Sequence, residues 1–111
     1  MDKIKLIQYI IIDDKFYEDD TYIFFFRSNY VTNYNLIKLW GCKWCSKDTN
    51  SWEHLLEKGK LYGIIEKQTQ TLYSLYILHD GSIRRFIDSE HKNITNNKIT
   101  SDFIKKLKNI L

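Results

Sequence analysis

The chain has 111 residues, a formal net charge of +3, 43% hydrophobic residues and 15% aromatic residues. That composition excludes a disordered chain, and the length permits one core without metals or disulfides. No run approaches the roughly 18 apolar residues of a membrane span, and the modest charge falls short of the clustered footprint of a dedicated nucleic-acid binder.

Charge is unevenly spread. Residues 1–41 carry a net of −1 and residues 42–111 a net of +4. The N-terminus, MDKIKLIQYIIIDD, has an apolar stretch too short for a span and no small-residue cleavage site. A single α+β domain over residues 1–111, in the cytoplasm and without a cofactor, is the expectation. Its two cysteines then read as free thiols. The richness in Asn, Ile and Lys, with no Ala and no Pro, is associated with an AT-rich genome such as that of a low-GC bacterium or its phage.

Ile4–Ile12 is rich in β-branched residues and reads as a strand. Asp13, Asp14, Glu18, Asp19 and Asp20 then crowd a polar segment, expected as a turn. Tyr22–Arg27 holds five consecutive apolar residues, which suits a central strand buried on both faces and paired with the first. Ser28 or Asn29 caps a following helix with Tyr30, Tyr34 and Ile37 at helical spacing, and Gly41 stops it. Asn50 or Ser51 starts a second helix through Trp52–Lys58, with Gly59 as its stop.

Leu61–Glu66, Leu72–Leu78 and Ile83–Asp88 read as three strands, the last two joined by an Asp80-Gly81 hairpin. Asp102 caps a last helix with Phe103, Ile104, Leu107 and Ile110 on its apolar side. The expected fold class is α+β: a mainly antiparallel sheet with about three helices packed on one side, in the order β-β-α-α-β-β-β-α.

Chemistry-bearing residues concentrate between Leu39 and Ile65, which hold both Cys, all three Trp and three of the four Gly. Cys42-Lys43-Trp44-Cys45 is a C-x-x-C. Paired thiols at this spacing serve zinc or redox chemistry. A structural zinc needs four ligands, and His54, His79 and His91 form no second pair. A thioredoxin-type site needs a helix starting at the first Cys, whereas a helix is expected to end there. Packing is therefore the favoured role, and no metal or catalytic residue is assigned.

Trp44, Cys45, Trp52 and Tyr62 are expected in the core. Trp40, Trp44 and Trp52 beside Lys43 and Lys47 leave base stacking as an alternative. The five clustered acids could hold a hard cation, mimic phosphates toward a basic partner, or simply be a solvated turn. Arg84, Arg85, Lys105, Lys106 and Lys108 form a basic patch only if the last helix lies near the last strand.

With these residues set out, the chain resembles a module of phage and mobile-element proteins. Its shared pattern is Tyr17-Glu18-Asp19-Asp20, the strand Tyr22–Phe26, Gly41, Lys43-Trp44-Cys45-Ser46, Trp52, Gly59-Lys60-Leu61-Tyr62 and Asp80-Gly81, over roughly residues 17–95. Cys42 lies outside the pattern, and Ser46 stands where Thr is commoner. The resemblance implies a mobile-element context and an α+β domain, and carries over no catalytic residue.

The expected function is that of a small non-enzymatic protein that docks on a host protein or nucleoprotein complex and blocks it. A bacterial defence nuclease complex of the CRISPR type is a natural target. Asp13, Asp14, Glu18, Asp19 and Asp20 are the candidate contact. The alternatives are a single-stranded nucleic-acid binder using Trp and Lys, and a small enzyme centred on Cys45.

Overall fold

The structure, a computed structural model, describes residues 3–44, 48–94 and 98–110. The antiparallel sheet has five strands in the spatial order β1-β2-β3-β4-β5. They are β1 (Lys15–Glu18), β2 (Tyr22–Phe26), β3 (Gly59–Glu66), β4 (Thr71–Leu78) and β5 (Ile83–Asp88). Among the described residues four helices accompany them: α1 (Lys3–Ile10), α2 (Tyr30–Trp40), α3 (Thr49–Lys58) and α4 (Lys98–Ile110). The expected α+β order is present, preceded by one helix.

That leading helix corrects the sequence reading. Ile4–Ile12, expected as a strand, is α1 and the turn that follows it. Ile7 and Ile11 are fully buried, and their spacing of four is helical. The first strand lies instead in the acidic segment. Phe16 and Tyr17 there pack on the sheet, between the charged ends Lys15 and Glu18.

The strand β2 shows why the sheet is covered on both sides. Its side chains alternate, so Ile23 and Phe25 face one way and Tyr22, Phe24 and Phe26 the other. Ile23 and Phe25 meet Ile7 of α1, Ile11 just after it, and Leu36 and Ile37 of α2. Phe24 meets Phe103 of α4, edge to face with ring centroids 4.8 Å apart. The helices therefore occupy both faces, not the one face expected. A strand apolar on both sides needs a cover on both. Burying a side chain of Phe size stabilises by about 1.5–3 kcal/mol.

Local signals set the helix ends. Asn29 accepts a hydrogen bond from the Thr32 amide at 3.1 Å and starts α2. Gly41 stops it in the left-handed region at φ 69°, where a Cβ would be strained. Asp48, rather than Asn50 or Ser51, caps α3 by accepting from the Ser51 amide at 3.2 Å. Asp102 lies inside α4 rather than at its start. The Asp80-Gly81 turn joins β4 to β5 as expected. Across β2 and β3, Gly63 stands opposite Phe25, and a Cβ there would run into the Phe25 ring.

The sheet's edges differ. Beyond β5, Asn93 bridges Ile87, and the Ile94 amide donates to Phe86 O at 2.8 Å. The β1 edge is only four residues long. Among the described residues no helix is long and apolar enough to cross a membrane.

Candidate functional site

The least ordinary feature of the interior is a buried cation. Arg27 follows β2 on the face of Ile23 and Phe25, and its amide extends the ladder to Leu61 O at 2.9 Å. Its side chain is 2% exposed. Nε donates to Asn33 Oδ1 at 2.8 Å, and Nη1 donates to Ser74 Oγ. Both acceptors are buried as well. The guanidinium carbon lies 4.5 Å from the centroid of the Trp44 ring. A planar guanidinium suits this role because it can stack and donate in fixed directions at once.

Trp44 reaches that position because α2 ends at Gly41. The chain then runs toward β5, with the Lys43 amide donating to Ser89 O at 3.0 Å. The indole Nε1 donates to Asp88 O at 2.7 Å, and the residue is 4% exposed. Lys43 stays outside and pairs with Glu90 at 2.9 Å. Cys42 is buried in the same cluster as Ile37 and Trp44. Cys45 lies outside the described residues, so the C-x-x-C is seen at one end only. Beside this centre, Trp44, Leu61, Ser74 and Tyr76 line a hollow of about 20 Å³, with Arg85 and His91 also on its wall. That is room for a water-sized guest and not for a substrate.

The other predicted aromatics are held inside or against neighbours. Tyr62 is buried under α4, 5.5 Å from the Phe103 ring, and burial pushes its phenol pKa up. Trp52 is half-buried and edge-on to Tyr30 at 5.4 Å. Its indole nitrogen is buried without a hydrogen-bond partner among the described residues. Trp40 packs partly buried against the α1–α2 cluster. A stacking platform needs open ring faces, and Trp44 spends one face on Arg27.

The five candidate acids divide. Glu18 pairs with Lys67 at 2.7 Å and Lys15 at 2.8 Å, and hydrogen bonds from both lysines pull its pKa down. Asp19 accepts from the Thr21 and Tyr22 amides at 2.7 Å, from the Tyr17 hydroxyl at 2.7 Å, and from Lys106 at 2.8 Å. Partial burial pushes the Asp19 carboxyl up, but those bonds outweigh it and hold the pKa well below the usual range. These two acids fasten the fold. Asp13 and Asp20 are exposed, and Asp14 is half-buried, its pKa raised by burial and by Asp13.

The histidines do not converge on a metal. His54 Nδ1 lies 3.9 Å from Glu57, the His79 ring contacts Glu57 O at 3.1 Å, and His91 sits 3.4 Å from Arg85. Among the described residues no three His, Cys, Asp or Glu side chains are grouped to hold an ion. The basic residues also divide, since Lys106 is turned to Asp19 while Lys105 and Lys108 border Ile83 on the other flank of α4.

One surface has no counterpart in the sequence reading. Tyr9 and Ile12, three residues apart where α1 ends, are 77% and 67% exposed. With Lys5, Gln8 and Lys15 they line an open groove of about 380 Å³. The signal was the surplus of apolar residues in Ile7–Ile12, more than one helical face can bury. Compared with protein-family models, with curated proteins and with solved structures, the chain finds no match.

Proposed function

We propose that this chain is a non-enzymatic binding protein that docks on another protein through the outer face of α1 and the turn after it. The observation that carries this reading is the pair Tyr9 and Ile12. Each face of the sheet carries its own buried apolar cluster, yet these two large side chains remain in solvent beside one groove. Paired exposed apolar residues with a polar rim are the usual form of a protein contact. Tyr in such a place offers a large rigid anchor with a polar tip.

Asp13 and Asp14 follow Ile12 directly, so two of the candidate acids adjoin this patch. Lys5 and Lys15 line the same groove, so the rim carries both signs around the apolar pair. The resemblance to mobile-element modules suggests that the partner is a host protein or nucleoprotein complex, with a bacterial defence nuclease as one such target, and that docking blocks it.

The test is capture from bacterial lysate by the tagged chain and by a Tyr9→Ser/Ile12→Ser variant. A partner held by the parent chain and released by the variant, at unchanged melting temperature, supports the reading. Equal capture by both chains removes α1 from the contact.

A further inference from the structure

The far flank of α4 forms a groove quite separate from α1. Two hollows, of about 370 and 510 Å³, both border Ile104 and Lys108. The first has an apolar floor of Tyr62, Ile77, Leu78 and Leu107 beside Ile104. The second opens past Ile83. Ile83 is there because of an irregularity in β5. Arg85 pairs with Tyr76 but Ile83 with Ile77, which leaves Arg84 unopposed and brings Ile83 into line with the floor. Ile83 is 43% exposed, an uncovered apolar side chain at the mouth of an apolar trough.

The charges at the rim have one sign. Lys60 and Lys108 border the first hollow, with His79 beside them, and Lys105 borders the second. Among the described residues no carboxylate lines either hollow. The neighbouring Asp80, on the β4–β5 turn, accepts from the Ser82 amide at 2.8 Å and the Ser82 hydroxyl at 2.6 Å. An apolar floor beside a rim whose described charged side chains are lysines suits an occupant that is apolar in body and negative at one end.

We propose that this groove binds a single-chain amphiphile with an anionic head, of the fatty-acid type, with its tail along Ile77, Ile104 and Leu107 and its head between Lys60 and Lys108. The size lies in the range of small-molecule sites, and few polar groups among many apolar ones is their usual lining. An extended peptide fits less well. Its backbone N–H and C=O groups would be buried against side-chain carbon without partners. A hydrocarbon tail has no such groups.

The probe is dodecanoate, kept below its micellar concentration and titrated calorimetrically into the full chain. One saturable site per chain is expected, with dodecanol bound at least about tenfold more weakly because it lacks the charge, and dodecyltrimethylammonium weaker still. Lys60→Glu/Lys108→Glu should weaken dodecanoate by about tenfold or more at an unchanged melting temperature. Absence of saturable binding would overturn the proposal. So would equal affinity for dodecanoate and dodecanol, uptake of many molecules per chain, or a charge-reversed variant that binds as the parent does. Should that variant fold poorly, Lys60→Gln/Lys108→Gln gives the same comparison with a smaller expected loss.

Discussion

Lys106 Nζ lies 2.8 Å from Asp19 Oδ2 and joins the last helix to the first hairpin across 87 positions of sequence. The ammonium also sits 4.3 Å from the centroid of the Tyr17 ring. One lysine thus holds α4 to the β1–β2 hairpin by charge and by aromatic contact together.

This contact sets a pH dependence with two limits. The lowered Asp19 pKa means that its stabilisation is present above the ordinary value of 3.8 and is lost as pH falls through the lower native value. Lys106 is pushed up to about 12 by its bonds to Asp19 and Tyr17, so its contribution is present below 10.5 and lost as pH rises through about 12. Asp19→Asn should lower stability at neutral pH by about 1–2 kcal/mol and flatten the acid limb of melting temperature against pH. An unchanged acid limb in that variant would assign the dependence to other carboxylates.

Arg27→Lys should be costly although the charge is kept. One ammonium cannot reach Asn33 and Ser74 while lying flat on Trp44. Leaving a buried acceptor without its donor costs about 1–3 kcal/mol. Urea unfolding would read this directly, and a loss under about 0.5 kcal/mol, the scale of a surface change, would contradict the described role.

Trp44→Ala should cost about 3–5 kcal/mol as a core truncation. Trp44→Phe should cost only about 1 kcal/mol. It keeps a ring under Arg27, and Asp88 O still accepts from the His91 amide at 3.1 Å. Equal losses from the two variants would mean that the indole N–H, and not the ring, holds this corner.

Gly63→Ala should destabilise by about 1–3 kcal/mol through overpacking, because the new methyl would enter the Phe25 ring. Phe25→Leu in the same chain should recover part of the loss. A double-mutant cycle measures the coupling, and simple additivity would show that the clash is relieved elsewhere.

Much of this architecture is legible in residue order. Asn29 and Gly41 frame α2, Asp80-Gly81 marks a hairpin, and five apolar residues in a row mark the doubly covered β2. The first 18 residues are less legible. Tyr9 in α1 and Ile12 in the turn after it add apolar residues off the buried side, which hides the helical spacing of Ile7 and Ile11 behind a strand-like composition. Phe16 and Tyr17 are masked by the acids around them. Arg27 ends a strand, where a charge ordinarily reads as surface. Its only local signal is parity with Ile23 and Phe25, while Asn33, Trp44 and Ser74 come to it through the tertiary fold.

The spatial order of the strands also bears on how the chain assembles. Each strand lies beside the one that precedes it in sequence, so β3, β4 and β5 can zip together through short turns. Between β2 and β3 the chain instead carries α2 and α3, residues 27–58. Closing that joint must enclose the whole insertion before the first ladder contact rewards it. Chain topology therefore predicts that the hairpins form first and that β2, with Arg27 carried at its end, docks on β3 late, which lower φ-values in β2 than in β4 would show.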